Sequence, residues 1–534
     1  MIRNKYDIIS TVVNVVGANT LFYLYYLFFY KTPLNNGINE LLENNLDVVK
    51  SNSLWFSESL LLGYSINYPL HFIAYLLFAG VVCFLSRNLY SWKALNVSKP
   101  FIWVVFIVSL IFTYNNSLSD FNFFTEKWYY FDRVLLLVSS VLLLFTPLAF
   151  LIYFPLLFLF FSSFNFPLDS FSLADKTLPI VLLFYTMSLY LYLITIRVIK
   201  KNIRFEPLWL VGVLITICCS YLAPLLIKIS ISQNIVDWFI IEDFALAFEQ
   251  YLDRGWLLDY PAGLIDGIRN VLVEYDNLFL FIAVILECLG IFLFFNWRYS
   301  IGIIVLLIIL NTNIYLLSAI LFWKWIVSNI LIIYYLYVTK PELKIKPRHM
   351  LVIVLSCVLC SHFMPFFPKL GWYTIPYKVD YLLEVTDVNG DTKNVKGKDM
   401  APFDMYFTFS RWDVLNKNQA NISNLDPNEI IRVNSMSIEQ VKDEIKQRGV
   451  NKYNPKKEKI LALFLNEYFT NYNKVGYKKK PILSPPAHIQ YNQRNHFKFD
   501  TPVRNVKIVA KEFFYENRSE KEMHYHVLNT FYFN

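Results

Sequence analysis

Long apolar runs alternate with short polar loops from the N-terminus to about residue 366, and this pattern predicts membrane-spanning helices. A helix rises about 1.5 Å per residue, so about 20 apolar residues cross the roughly 30 Å hydrocarbon core of a bilayer. The predicted spans are 8–30, 69–86, 101–114, 177–196, 207–227, 278–295, 301–319, 320–338 and 349–366.

The uncharged run 134–164 is too long for a single span and is interrupted by Pro147 and Pro155. Proline removes a backbone N–H, and a membrane helix tolerates it where neighbouring groups satisfy the freed backbone. The run therefore predicts either two short spans or a re-entrant hairpin. Together with the other spans it gives about eleven crossings, or nine plus the hairpin.

The distribution of charged residues predicts how the spans are oriented, because short cytoplasmic loops retain Lys and Arg. Loops on one side hold fourteen basic and three acidic residues, whereas loops on the other side hold nine basic and eighteen acidic residues. This alternation predicts a cytoplasmic N-terminus and an extracytoplasmic C-terminal domain. The first span ends in bulky aromatic residues rather than a small-residue cleavage site, so we expect a retained anchor.

The composition changes near residue 367, where a more polar segment begins. An alternating strand at 377–385 precedes Asn389-Gly390, a dipeptide typical of type I′ hairpins. Ser437 and Gln440 stand at capping-box spacing before a helix that Gly449 should end, and a second helix should start at 455. With alternating strands at 503–515 and 523–533, residues 367–534 predict an extracytoplasmic α+β domain after a membrane domain, 1–366.

The overall composition excludes a soluble globular protein. Apolar residues make up 56% of the chain and charged residues only 17%, against about 25% in soluble proteins. Much of the net charge of +8 lies on the inner loops, which would face anionic lipid. We therefore expect a lipid bilayer as partner and no nucleic acid. The abundance of Asn and Ile suggests an AT-rich bacterial genome and thus a bacterial cytoplasmic membrane.

Glu287 is the only charged residue within the predicted spans. A carboxylate at membrane depth is costly and by default is a candidate functional group. Alternatively, it is protonated or bonded to a polar group of a neighbouring helix and fixes packing only. Asn311 and Asn313 on the next span are its predicted partners.

The loop 228–277 is the most acidic part of the membrane domain, and its apolar residues recur at helical spacing. This pattern predicts an amphipathic helix lying on the outer membrane surface, ended near Gly255, with a second helix from Pro261. Its acidic residues either form a solvated face or include a functional pair. In the second case Glu242 and Asp243 would coordinate a metal or act as a base over a cavity.

Lys324 stands between two tryptophans at the predicted outer interface, in Trp323-Lys324-Trp325. An aromatic belt with a lysine that extends its amine to water explains this triplet without chemistry. A lysine desolvated beside a cavity could instead act as a base, because burial lowers the pKa of an amine. Lys324 therefore joins Glu287, Glu242 and Asp243 as a candidate catalytic residue.

Two further groups have spacings that resemble metal or redox motifs. Cys357 and Cys360 lie one helical turn apart in an apolar run, where cysteines are usually small core residues. His524 and His526 point the same way on a predicted strand, but two ligands do not make a metal site. We therefore predict no metal centre.

Three short motifs within 275–336 carry a family resemblance: Leu286-Glu287, Asn296-Trp297-Arg298 in a tight inner turn, and Phe322-Trp323-Lys324-Trp325. With them the stretch resembles the HTTM module of horizontally arranged transmembrane helices, shared by bacterial membrane proteins and the vitamin K-dependent γ-glutamyl carboxylases. The resemblance implies an outward-facing cavity and, in the carboxylase branch, a quinone cofactor and carboxylation of glutamate on a bound polypeptide. The carboxylases use lysine and histidine in the membrane body, whereas no lysine lies within a predicted span here.

Three functions fit these features, and the sequence leaves open whether the chain is an enzyme. The first is an HTTM-like membrane protein that handles or modifies an exported polypeptide. The second is a GT-C-type glycosyltransferase using lipid-linked sugars, which the chain resembles in span number, orientation and C-terminal domain. Its acids would be Glu40, Glu43, Asp47 and Glu58 after the first span. The third is a non-catalytic subunit that docks a secretion or assembly partner.

Overall fold

Helices dominate the chain, and an antiparallel sheet follows them. The computed structural model describes residues 5–44, 47–49, 54–57, 59–117, 129–168, 178–197, 205–231, 238–239, 242–257, 259–342, 347–363, 374–400, 403, 407, 412–417, 432–433, 436–450, 452–475, 496–516 and 519–533. Glu58 and the end of the last predicted span, 364–366, lie outside the described residues, as do several apolar positions of the loop 228–277.

Fourteen helices, numbered within the described ranges, lie N-terminal to the sheet. They are α1 Lys5–Tyr25, α2 Thr32–Glu43, α3 Leu60–Asn67, α4 Pro69–Leu85, α5 Lys99–Ser117, α6 Tyr129–Leu142, α7 Phe150–Asn165, α8 Leu178–Arg197, α9 Phe205–Ile231, α10 Phe244–Asp253, α11 Ala262–Leu289, α12 Trp297–Ser318, α13 Trp323–Thr339 and α14 Pro347–Phe363. A π-helical turn, Tyr26–Lys31, joins α1 to α2.

Six helical segments in the described ranges are long and apolar enough to cross a bilayer. They are Ser10–Glu43, Pro147–Asn165, Leu178–Ile196, Phe205–Ile229, Ala262–Phe294 and Trp297–Ser318. The pair α3 and α4, bent by 111°, would make a seventh if it is a single broken span. The remaining predicted spans are helices too, but shorter: Lys99–Tyr114, Met350–Ser361 and the 17 residues of α13.

The run 134–164 is broken where the proline pattern predicts. Helix α6 ends at Leu142, and a 3₁₀ turn, Pro147–Ala149, leads into α7. The Thr146 hydroxyl accepts a hydrogen bond from the Leu148 N–H at this break. Pro155 lies inside α7 without ending it. The run is therefore two helical segments.

Helices α7, α8 and α9 form the buried centre of the helical body, because 78–83% of their most apolar windows is buried. By contrast, only 33–39% of the corresponding windows in α11 and α12 is buried. The outer helices expose large apolar side chains, among them Leu70, Phe84, Phe281, Leu316 and Tyr337. An apolar surface of this extent fits contact with lipid tails, so the helices are compatible with a membrane protein.

The C-terminal sheet has four antiparallel strands in the order β2-β1-β3-β4. The strands are β1 Tyr377–Asp387, β2 Thr392–Val395, β3 Val503–Glu516 and β4 Ser519–Tyr532. Two helices accompany the sheet, α15 Ile438–Arg448 and α16 Pro455–Val475. This mixture of strands and helices confirms the expected secondary structure of the C-terminal region.

The local signals for the two C-terminal helices are confirmed. Ser437 and Gln440 form the reciprocal capping box before α15, and Gly449 follows its end with a φ of +60°. The Asn454 side chain accepts hydrogen bonds from the N–H groups of Lys456 and Lys457 at the start of α16. Each of these contacts satisfies N–H groups that a helix start leaves unpaired.

The hairpin between β1 and β2 forms, but the predicted type I′ turn is wrong. A type I′ turn needs positive φ at two residues, and at this turn only Gly390 has one, +89°. The Asp387 carboxylate instead accepts hydrogen bonds from the N–H groups of Asn389 and Asp391. A side-chain acceptor thus replaces the second positive φ.

Helix α10 exists and ends before Gly255 as predicted, but it does not lie on a membrane surface. On one side, Phe248 packs in a cluster with Leu272 of α11 and Ala319 after α12. On the other side, Leu246 packs with Phe513 and Tyr515 of β3. Its apolar residues are therefore covered by the helical body and by the sheet rather than by lipid.

The start of α10 is also tied to α11. Helix α11 has a non-helical residue, Tyr275, and the buried Asp276 beside it accepts a hydrogen bond from the Phe244 N–H at 3.0 Å. The break at Tyr275 separates the outer half of α11 from the half that carries Glu287. Helix α10 is thus attached to α11 at this break.

Candidate acid–base site

Glu287 pairs with a lysine inside the helical body. Lys228, in the last turn of α9, donates a hydrogen bond to Glu287 Oε1 at 2.7 Å, and the two side chains are only 6% and 10% exposed. The sequence analysis ended the span at residue 227 and placed Lys228 in a loop. Both the statement that Glu287 is the only charge within the spans and the statement that they contain no lysine are therefore wrong.

Trp238 completes the surroundings of Lys228. The Lys228 amine lies 4.6 Å from the centre of the Trp238 ring, a cation–π distance. Trp238 is fully buried, and among the described residues its Nε1 has no hydrogen-bond partner. The second carboxylate oxygen of Glu287, Oε2, likewise has none within the described chain. One buried donor and one buried acceptor therefore accompany the ion pair.

Glu242 is a second buried carboxyl group of the same site. It accepts hydrogen bonds from the Thr374 N–H at 3.2 Å and from the Thr374 hydroxyl at 2.8 Å. Burial raises the pKa of Glu242 to about 8, although these bonds and the positive charge of Lys228 oppose the rise. Glu242 is therefore mostly protonated at neutral pH. It lies within electrostatic reach of Lys228 and bonds the residue that precedes β1.

Asp243 has a different role from Glu242, so the two acids do not form the predicted pair. Asp243 is the N-cap of α10, and its side chain accepts a hydrogen bond from the Leu246 N–H at 2.8 Å. The Glu242 carboxyl is bonded to Thr374 instead. The described residues contain no group of three or more His, Cys, Asp or Glu that could hold a metal ion.

Asp243→Ala should lower the free energy of unfolding by about 1 kcal/mol, the usual cost of losing an N-cap. Asp243→Asn should cost much less, because an asparagine oxygen accepts the same bond. Thermal unfolding of the two purified variants would measure this difference. Equal losses for both variants would instead assign the carboxylate charge, rather than the cap, to this position.

Lys324 is buried, which contradicts the predicted contact with water at the interface. It is 8% exposed, and its amine lies 5.4 Å from the centre of the Phe112 ring and 5.8 Å from that of Trp323. Helix α13 begins only at Trp323, so the first turn of α13 carries Lys324 against α5. None of the described contacts joins Lys324 to Glu287.

The asparagines of α12 are not the partners of Glu287. Asn311 donates to the Tyr221 hydroxyl at 2.7 Å, and Asn329 of α13 donates to the same hydroxyl at 3.1 Å. Asn313 is exposed. The predicted partnership is therefore wrong, and Asn311 instead links α12 to α9 through Tyr221.

A second ionic group joins the sheet to the helical body next to Glu242. Asp380 of β1 bonds Arg254 at 2.6 Å and Lys378 at 2.7 Å. Burial acts to raise the pKa of Asp380, but the positive charges of Arg254 and Lys378 outweigh it and lower that pKa. The Tyr515 hydroxyl donates to Asp253 at 2.5 Å. The junction between α10 and the sheet is therefore strongly polar.

The acids proposed for a glycosyltransferase do not converge. Glu40, Glu43 and Asp47 are all exposed, and Glu58 lies outside the described residues. His524 and His526 each contact a glutamate, Glu522 at 3.3 Å and Glu512 at 3.0 Å respectively. These groups are separate from the site around Lys228 in the contacts that the structure describes.

The sequence analysis missed Lys228 and Trp238. One signal pointed to Lys228, because apolar residues continue on both sides of it in Leu-Ile-Lys-Ile-Ser-Ile, 226–231, as they would within a helix. Trp238 carried no comparable signal, since its role depends on a contact with a residue ten positions away.

The known proteins were compared with this chain in three ways. No protein-family model, no curated protein and no solved structure matches it. From its own residues, the chain is a mostly helical protein with six candidate apolar spans and a small C-terminal antiparallel sheet.

Proposed function

We propose that this chain is a bacterial cytoplasmic-membrane protein whose outer domain and membrane body enclose a site that handles an exported polypeptide. Lys228, Glu287, Glu242 and Trp238 form that site. The N-terminus faces the cytoplasm, and the sheet lies outside. Eleven helices cross the bilayer: α1, α4 to α9 and α11 to α14.

Contacts between loops support this orientation. On the outer side, Lys459 of α16 donates to the Leu42 carbonyl of α2 at 2.9 Å, and Arg254 bonds Asp380. The acidic loops of the charge pattern thus lie beside the sheet. On the opposite side, Glu206 accepts hydrogen bonds from Ser98 and Tyr335, which brings three of the basic loops together.

The observation that carries the proposed site is the buried Lys228–Glu287 pair with two unused hydrogen-bonding atoms beside it. Glu287 Oε2 can accept a hydrogen bond and Trp238 Nε1 can donate one. A peptide amide offers the complementary N–H and C=O groups, so a polypeptide segment fits this chemistry. Buried atoms that gain such bonds on binding give affinity, because leaving them unpaired costs about 1–3 kcal/mol each.

The family resemblance supports the same class of ligand. The stretch 275–336, which resembles the HTTM module, contains Glu287, and the carboxylase branch acts on a bound polypeptide. Glu242 adds a group that exchanges a proton near pH 8 beside the ion pair. A glycosyltransferase has less support, because the acids available for it are exposed and do not meet.

Photocrosslinking in living cells tests the proposal. A photoreactive residue at Phe239, next to Trp238, should capture polypeptides that carry export signals, whereas one at Leu351, 62% exposed on α14, should capture lipid only. A Lys228→Met/Glu287→Met variant should lose the captured polypeptides, because it removes both charges without leaving either one unpaired. Mass spectrometry would identify the products.

Two outcomes would contradict the proposal. If position 239 captures only lipid, no polypeptide reaches the site. If it captures one stable membrane protein and the double variant captures it equally well, the chain is a non-catalytic subunit and the ion pair is structural.

A further inference from the structure

Four of the six cysteines of the chain meet between α9 and α14. Cys218 and Cys219 lie on α9, and Cys357 and Cys360 lie on α14; all four are at most 4% exposed. The Cys219 thiol hydrogen-bonds the thiols of Cys357 and Cys360, and the Cys357 thiol also hydrogen-bonds that of Cys218. The four sulfur atoms therefore form a continuous chain of contacts.

The backbones of the two helices approach closely at this point. The Cys219 thiol reaches the Cys357 carbonyl at 3.5 Å, and the Ser361 hydroxyl lies 3.4 Å from the Cys219 carbonyl. Gly290 packs on the other side of α9, where an added Cβ would come within 3.2 Å of the Cys218 Cα. The sulfur atoms are thus held in contact by neighbouring helices.

The contacts allow one pairing that uses all four thiols. Cys218 pairs with Cys357, and Cys219 pairs with Cys360. A Cys219–Cys357 bond would instead leave Cys218 and Cys360 without a contacting partner within the cluster. Metal binding has no support, because no group of three or more possible ligands is found among the described residues.

We infer that this cluster is a thiol–disulfide redox centre that exchanges electrons with a lipid-soluble quinone. Each disulfide forms when two S–H bonds break and one S–S bond forms, and the two electrons and two protons reduce one quinone to a quinol. Four thiols therefore reduce two quinones.

A lipid-soluble oxidant fits the surroundings of the cluster. Leu355 and Leu359 of α14 are 53% and 55% exposed, so the opposite face of this helix is available to lipid. The thiols lie one helix away from that face and are buried from water. An oxidant dissolved in the bilayer therefore has a shorter path to them than a charged oxidant in water.

Oxidation would join α14 to α9 covalently. Helix α9 carries Lys228, and α14 is the last described helix before the sheet. The redox state would therefore fix the position of the helix that leads to the outer domain. This consequence does not depend on the proposed polypeptide site.

The test uses the full-length protein, reduced and reconstituted in lipid nanodiscs without oxygen. On addition of a short-chain benzoquinone, absorbance should report two quinols per chain. Peptide mapping should find the Cys218–Cys357 and Cys219–Cys360 links. A Cys83→Ser/Cys288→Ser variant, which keeps the cluster, should give the same yield, and Cys219→Ser should give half of it.

Three results would overturn the inference: no quinol formation, links that involve Cys83 or Cys288, or a single quinol with a Cys219–Cys357 link. Circular dichroism of Cys219→Ser would establish that a lower yield does not come from unfolding. If this variant is unfolded, the mapped links and the yield of the unsubstituted cluster decide the question alone.

Discussion

Lys228→Met is expected to lower the free energy of unfolding by about 3–5 kcal/mol, because it leaves the Glu287 carboxylate buried without its partner. The pair is 2.7 Å apart and nearly excluded from solvent. Desolvation of a carboxylate is costly, and only the lysine charge offsets it here. Equilibrium unfolding in mixed micelles would measure the loss.

The matched control is Lys228→Met/Glu287→Met, which replaces both charges by side chains of similar length. Replacing a buried ion pair by apolar residues is often neutral or stabilising, so the double variant should regain most of the stability that Lys228→Met loses. Additive losses in the single and double variants would mean that the two charges do not interact. A Lys228→Met protein as stable as the original would contradict a buried pair altogether.

The stability of the protein should fall as the pH rises from 5 towards 8, and Glu242 should account for this fall. Burial raises the pKa of Glu242 from 4.5 to about 8. Between these values the folded chain holds a proton that the unfolded chain releases, so a higher pH favours unfolding. The expected slope is roughly 1.4 kcal/mol per pH unit within this window.

Glu242→Gln is the control, because glutamine resembles the protonated acid and does not titrate. Its stability should stay nearly constant where that of the original protein falls, and the difference between the two curves isolates Glu242. Measurements should stay below pH 8, because burial lowers the pKa of Lys378 to about 8 and this group acts in the opposite direction above that value. Parallel curves would show that Glu242 does not hold the extra proton.

Local patterns in the sequence predicted the elements well. The capping box of α15, the asparagine cap of α16 and the break at Pro147 each depend on residues within a few positions of one another. The hairpin turn was missed in detail, because the Asp387 side chain satisfies N–H groups that a type I′ turn would satisfy through backbone conformation.

The composition of the candidate site could be predicted only in part. Glu287 and Glu242 were found, because an acid in an apolar run or in an amphipathic segment is visible in sequence. Lys228 was assigned to a loop, because a charge usually ends a membrane span. Its partner is 59 positions away, and no local pattern indicates such a contact.

The burial of Lys324 and the covered position of α10 were missed for the same reason. An apolar face predicts that something covers a helix, but not whether lipid or protein does. Leu246 contacts β3, more than 260 positions later in the chain. Contacts of this separation are set by the tertiary fold rather than by local periodicity.

The attachment of α10 has a mechanical consequence. Because α10 contacts β3 on one side and is bonded to Asp276 on the other, a tilt of the sheet pulls on α11 at the break beside Tyr275. Glu287 lies eleven residues further along, or about 16 Å at the helical rise. A rigid half-helix therefore acts as a lever arm, and a load on the outer domain would be felt as a small displacement of the carboxylate inside the membrane.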